Sequence, residues 1–411
     1  MSKVVKMHVG ELRIGMFVSK LDKDWLDTPF IMQGFLIEEE EDIDIVSEYC
    51  EHVWVDTDYT EHRLSAHSSG VGTASQARPA GGFAPSVSVQ EEHRRTYRVF
   101  REARSLTKSL LDDIRLGGAL DGNKARDMVN DCVQSVIRHP DALLWMAKIR
   151  DEREYTAEHC LNVCILAIAF GRQLGMDEAE LHNLGMCGLL HDVGKMRVPQ
   201  EIVDKPASLT PKEMRLMKAH TVHGRNLLLS SQNIFNGAID VAYSHHERID
   251  GQGYPRKLPG HGISRYSRII SIVDAYDAMT ADRCYSPAKT STEALKIIYS
   301  EKGKHFDETL ALKFIETIGL YPAGSLVELY SGEVGIVVEA NQRYRHLPRV
   351  ILLLDEAKKL REKEVIKDLS KIESGELPRK FLIKQVWRDG SFNIRLRDYQ
   401  KKGLVLKHNF S

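Results

Sequence analysis

A chain of 411 residues has room for two or three domains, and 42% hydrophobic with 28% charged residues is the composition of an ordinary globular protein. Its 57 basic and 58 acidic residues leave a formal charge of -1, so there is no electrostatic basis for general binding to DNA, RNA or anionic membrane. No apolar run approaches the roughly 20 residues of a membrane-crossing helix, and the six cysteines form no CxxC pair.

The first residues, MSKVVKMHVGELRIG, lack the apolar core of an export signal. A cytoplasmic location is therefore expected, with Cys50, Cys132, Cys160, Cys164, Cys187 and Cys284 as reduced thiols. Residues 1–64 read as a small α/β domain. VKMHVGELRIGMFVSKLD alternates like short strands broken at Gly10 and Gly15, FLIEEEEDIDIVSEYCE has an amphipathic helical period, and HVWVDTD reads as a buried strand. Residues 65–90, rich in Gly, Ser, Ala and Pro, predict a flexible linker.

Over 91–319 the helical period dominates. EEHRRTYRVFREARSLTKSLLDDIRLG, KARDMVNDCVQSVIRHP, HCLNVCILAIAFGRQLG and AELHNLGMCGLLHDVGK are amphipathic or buried helices. TPKEMRLMKAHTVHGRNLLL opens with Thr210 as N-cap, Pro211 at the first helical position and Glu213 completing a capping box. From 320 to 411 the period changes to two. SLVELYSGEVGIVVEAN turns at Ser331-Gly332, RVILLLD is a strand, and QVWRDGSFNIRL predicts a hairpin at Asp389-Gly390. The fold class is multidomain: a central all-α bundle, a small α/β N-terminal domain and a small β-rich C-terminal subdomain.

The ends of several apolar helices deliver imidazoles and carboxylates: His159, His191 with Asp192, His220, the pair His245–His246, and Asp274 within IISIVDAYDAM. A single histidine on such a face is more often a core or surface residue than a ligand, and His182, His223 and His261 are read that way. The set carries more weight than its members. Neutral imidazoles with carboxylates suit borderline metals such as Fe, Mn, Ni or Zn, and more than four such donors exceed one tetrahedral site. Two metals sharing a carboxylate is the arrangement used to hydrolyse phosphate esters.

HDVGK at 191–195 together with HHERIDGQGYP at 245–255 resembles the HD-GYP family, a branch of the HD metal-dependent phosphohydrolases. The resemblance covers roughly residues 120–320. It implies an all-α HD fold and hydrolysis of cyclic di-GMP to pGpG, and onward to GMP, by a hydroxide bridging two divalent transition metals (Fe, Mn, Ni or similar). It implies His159, His191, Asp192, His220, His245, His246 and Asp274 as metal ligands, with Asp192 bridging and catalytic. Lys195 would sit beside the metals and touch a substrate phosphate, and Arg283 would bind phosphate or guanine. Glu247 and Asp277 are candidates to hold the far nitrogens of the ligand rings. The GYP loop, with Tyr254 as an exposed aromatic, is either a structural turn or, as the resemblance implies, a surface that contacts partners such as diguanylate cyclase domains. The N-terminal segment resembles a domain of unknown function that often precedes HD-GYP domains. Two departures stand out: Tyr155 replaces a glutamate that helps some members hold a third metal, and DRCYSPAK lacks the usual basic residue at Ser286, leaving Lys289 as its replacement. The competing reading is a non-catalytic cyclic di-GMP receptor or signalling scaffold.

Overall fold

The structure is a computed structural model and describes residues 4–23, 35–37, 40–57, 89–148, 155–282, 288–341, 344 and 346–401. The chain divides into two compact units, Met1–Arg78 and Pro79–Ser411.

In the first unit, strands β1 (Val4–His8), β2 (Phe17–Leu21), β3 (Phe35–Leu36) and β4 (His52–Asp56) form an antiparallel sheet in the order β1-β4-β2-β3. The helix α1 (Glu40–Tyr49) supplies Val46 to a core with Val18, Ile37, Val53 and Val55. HVWVD is buried on one face only. Val53 and Val55 point inward while His52 and Trp54 stay half-exposed, as a strand with period two on a one-sided sheet requires.

The second unit begins with α2 (Val89–Arg115), α3 (Gly122–Arg138) and α4 (Pro140–Ala147). A buried ion pair joins the first two: Arg138 donates through Nε and Nη2 to the two oxygens of Glu92, at 2.8 and 2.9 Å. At the centre lies α5 (Tyr155–Gln173), buried on every side from Cys160 to Phe170, with α6 (Glu178–Leu190) against it. The two can approach because position 188 is glycine; a Cβ there would meet the Cys164 Cα at 2.8 Å. There follow α7 (Gln200–Val203), α8 (Pro211–Lys218), α9 (His220–Leu229), α10 (Asn236–Ser244), α11 (Arg265–Thr280), α12 (Ser291–Ser300) and α13 (Glu308–Ile318). The Thr210–Glu213 capping box forms at α8. The single helix expected after it is two, broken at Ala219. Cys50, Cys132, Cys160, Cys164 and Cys187 are free and buried. Cys284 and residues 65–88 of the expected linker lie outside the described residues, while 89 and 90 open α2.

The C-terminal region carries a five-stranded antiparallel sheet of β5 (Leu326–Leu329), β6 (Val334–Glu339), β7 (Arg349–Leu354), β8 (Leu360–Asp368) and β9 (Ile383–Trp387), ordered β8-β7-β6-β5-β9. The turn at Ser331-Gly332 joins β5 to β6, with Gly332 at φ 89°. The hairpin expected at Asp389-Gly390 does not form. The Asp389 carboxylate instead accepts from the Gly390 and Leu396 amides, at 3.1 and 2.9 Å, and turns the chain into helix α14 (Leu396–Lys401). Among the described residues no helix is long and apolar enough to cross a membrane.

Candidate metal centre

Five elements converge on one buried point. His159 lies in the second turn of α5, and His191 and Asp192 directly follow α6. His220 opens α9, His245 and His246 follow α10, and Asp274 lies in the third turn of α11. Adjacent histidines reach the same point because α10 ends at Ser244: His245 caps the helix and His246 lies beyond it, with ring centroids 4.2 Å apart.

The donors fall into three groups, each with its ligand atoms within 4.8 Å of one another: His159–His191–Asp192, His191–His245–Asp274, and His220–His245–His246. The first and last share no residue, and the middle one borrows a ring from each. Asp192 stands between them. Its Oδ2 lies 3.4 Å from His159 Nε2 and 3.3 Å from His191 Nε2, while Oδ1 lies 3.4 Å from His220 Nε2 and 3.7 Å from His245 Nε2. Each carboxylate oxygen therefore faces one of the two separate groups.

The rings are aimed from behind. His191 Nδ1 donates to the Gly188 carbonyl at 2.7 Å, His220 Nδ1 to Met217 at 2.7 Å, and His245 Nδ1 to Val241 at 2.9 Å. These carbonyls stand three or four residues earlier, near helix C-termini where carbonyls lack helical partners. His159 Nδ1 donates to Asp277 Oδ2 at 2.8 Å. With Nδ1 committed, each of these rings presents Nε2 to the cluster. The carbonyl partners were not expected from the sequence, although histidines at helix ends with a carbonyl three or four residues back are its visible sign. Glu247 holds no ring. It accepts from the Arg256 amide at 2.7 Å and the Leu258 amide at 3.0 Å, and so ties down the GYP loop. The loop folds back on Gly253, where a Cβ would meet the Arg248 amide at 2.4 Å. Tyr254 is not freely exposed: its ring stacks on His246 at 4.6 Å, with Lys218 Nζ 4.8 Å from its centroid.

Burial sets the charges. It pushes His220 down to about 4 and His245 to about 3, and His246 well below the usual imidazole range, so these rings are neutral donors at neutral pH. Burial alone would raise Asp192, but Lys195 and His191 hold it well below the carboxylate range; for Asp274, hydrogen bonding to His159 likewise overrides burial. Lys195 Nζ donates to Asp192 Oδ2 at 2.5 Å. His191 Nε2 and Asp192 Oδ1 are buried without a hydrogen-bond partner. Orphaned atoms of this kind, in a set of neutral imidazoles and ionised carboxylates, fit a divalent metal.

All seven expected donors are thus brought together, with Lys195 beside them. Lys289 lies exposed on the wall of a cavity that none of the seven donors lines, where its charge acts on Glu293. Arg283 and Ser286 lie outside the described residues. The backbone of Tyr155 opens α5 one turn before His159, but its side chain is outside the description.

Residues 132–310 match the family model described as HD domain, and residues 4–125 match a domain of unknown function, DUF3391. The chain is 36% identical over 372 residues to a cyclic di-GMP phosphodiesterase of Pseudomonas aeruginosa, covering 89% of each protein. It is 42% identical over 137 residues to a cyclic di-GMP phosphodiesterase response regulator of Xanthomonas campestris, covering 33% of this chain and 36% of that one. A 3'3'-cGAMP-specific phosphodiesterase of Vibrio cholerae is 38% identical over 152 residues, covering 37% of this chain and 33% of its own.

Proposed function

The chain belongs to the HD-GYP family of HD-domain phosphodiesterases, and on that premise we propose that it hydrolyses cyclic di-GMP to pGpG at a centre of two divalent transition metals. The observation that carries this reading is Asp192, whose two oxygens face two donor groups with no residue in common. His159 and His191 would hold one ion, His220, His245 and His246 the other, with Asp192 shared and Asp274 beside the first. Among the described residues three ions would not each have a full group: the middle group uses one ring from each outer group, and each ring has only Nε2 to give. Bound metals supply Lewis acidity toward phosphate and an activated water at neutral pH.

The chain's own residues do the rest. Asp277 and the Gly188, Met217 and Val241 carbonyls orient the rings, and burial keeps His220 and His245 unprotonated. Lys195, whose Nζ reaches Asp192 Oδ2, would turn to a substrate phosphate oxygen and add positive charge where charge builds up. Arg283 is proposed as a further substrate contact, whereas Lys289 faces a cavity that none of the seven donors lines. Tyr155 offers no carboxylate one turn before His159, which favours two ions over three and slower onward cleavage of pGpG to GMP. Contact with diguanylate cyclase domains through the GYP loop is a separate proposal; with Tyr254 packed on His246, it would fall to Arg248, Asp250 and Gln252.

The test is metal analysis combined with chromatography of the products from cyclic di-GMP and, in parallel, 3'3'-cGAMP. About two metals per chain and pGpG as the early product are expected. The double variant His191→Ala/Asp192→Ala should keep its helical circular dichroism and lose turnover. Substantial turnover in that variant refutes the hydrolase reading, and binding of cyclic di-GMP without products by the unaltered protein would favour the receptor.

A further inference from the structure

A cavity of about 410 Å³ lies between the helical region and the C-terminal sheet, within the range of small-molecule sites. None of the seven cluster residues lines it. Five cations do: Lys148, Lys289, Arg388, Arg395 and Arg397. They face three carboxylates, each already engaged. Glu158 pairs with Arg104 at 2.8 Å, Asp282 accepts from the Ala288 amide at 2.8 Å, and Asp389 accepts from Gly390 and Leu396. Of the cations, Lys148 donates to Ser291 Oγ at 2.8 Å, and Arg388 lies 3.8 Å from Glu293. Lys289, Arg395 and Arg397 make no close side-chain hydrogen bond or ion pair among the described residues, although the Lys289 charge acts on Glu293 and the Arg395 charge on Asp389.

Two further features suit a ligand. Ser325, on the cavity wall, is only 6% exposed, and its hydroxyl has no hydrogen-bond partner. A buried hydroxyl left unpaired costs stability, so it is ordinarily matched by something. The wall is also built closely. Gly324, at φ 85°, lies so near Lys148 that a Cβ would meet its Cγ at 3.0 Å, which holds the lysine stem against the sheet. Leu326, Val386 and Trp387 add an apolar side, with Trp387 fixed by donating Nε1–H to Glu328 at 3.0 Å.

From this juxtaposition we infer that the cavity binds a phosphate-bearing small molecule, held by Arg395, Arg397 and Lys289 with Ser325 as a hydroxyl partner. Guanidinium forks match phosphate oxygens in pairs, and several cations beside one hydroxyl suit a multi-oxygen dianion better than a carboxylate. The site joins residues of the C-terminal sheet region, outside the 132–310 HD match, to the start of α12 within it. It does not depend on the metal centre or on the reaction proposed there.

Trp387 provides the readout. The full-length protein is titrated with inorganic phosphate and, separately, GMP, while tryptophan fluorescence is followed, with acetate as the ionic-strength control. A saturable change is expected that acetate does not produce and that vanishes in Trp387→Phe, which assigns it to this cavity rather than to the metals. Arg395→Ala/Arg397→Ala should weaken binding at least about tenfold, since bonds to charged groups are the stronger kind. Ser325→Ala should weaken it severalfold. The single exposed change Arg397→Gln guards against a double variant that folds poorly. Tighter binding of GMP than of phosphate identifies a nucleotide, and equal or weaker binding identifies free phosphate. No Trp387-dependent change, the same change with acetate, or an unaltered dissociation constant in the arginine variants overturns the inference.

Discussion

At the scale of single residues, Asp277 decides how well His159 is aimed. It is buried, and its bond to Nδ1 is 2.8 Å. Asp277→Asn keeps the shape but loses the charge that makes the imidazole a better donor. Metal affinity should fall by about 10–100-fold with little change in fold, as read by competition with a chromophoric chelator. The buried imidazoles also predict a pH dependence. In the metal-free fold burial pushes His220 down to about 4, against a reference of 6.5. Below 6.5 the unfolded chain takes up a proton that the folded chain refuses. The stability from this ring is therefore complete above 6.5 and is lost as pH falls toward about 4, a change on the order of 3 kcal/mol. His245 and His246 act in the same direction, and Asp192 and Asp274 extend it below the carboxylate range. Urea midpoints of the metal-stripped protein should fall steadily between pH 7 and pH 4.5; a flat profile would show these rings to be solvated.

At the scale of elements, backbone contact fixes the site's spacing. The turn carrying Lys195 lies against α9, which carries His220, because Gly194 and Gly224 meet there; a Cβ on Gly194 would lie 2.4 Å from the Gly224 amide nitrogen and still closer to the His220 carbonyl. Gly194→Ala must part these elements. It should cost at least about 1–3 kcal/mol and lower Tm by several degrees, and it should also weaken metal retention, because Lys195 and His220 move with the elements. Differential scanning calorimetry with metal analysis checks both. Elements with strong local signals were legible in the sequence: the Thr210–Glu213 capping box, the buried α5, and the β5–β6 turn at Ser331-Gly332. What escaped notice depended on contacts distant in sequence or on side-chain choices between equivalent partners. Asp389-Gly390 has the composition of a hairpin turn, yet the carboxylate caps Leu396 instead. Glu247, beside two cluster histidines, looks like a ring partner, yet two loop amides claim it. Strand β8, LREKEVIKD, is too charged to stand out and is held as a strand by its pairing with β7. The histidine cluster was legible only as a set, because its members lie between residues 159 and 274 and no short window contains more than two of them.

At the scale of the whole molecule, the donors tie together segments separated by more than a hundred residues, from His159 in α5 to Asp274 in α11. Groups brought together only by folding bind metal only when folded, so bound metal adds to stability by mass action. The shared rings also govern the order in which ions would fill the cluster. An ion seated on His191, His245 and Asp274 takes a ring from each outer group and leaves both incomplete. A first ion placed there would block the pair of ions proposed to share Asp192, and a second ion would have to displace it outward. Activity measured against added metal should then lag below one equivalent per chain and rise steeply between one and two, giving a sigmoid rather than a straight line. A linear rise from zero would mean that the outer groups fill independently. With such a threshold, a cell short of the metal would hold chains that are folded, half-loaded and silent, and a small increase in supply would switch on many of them at once.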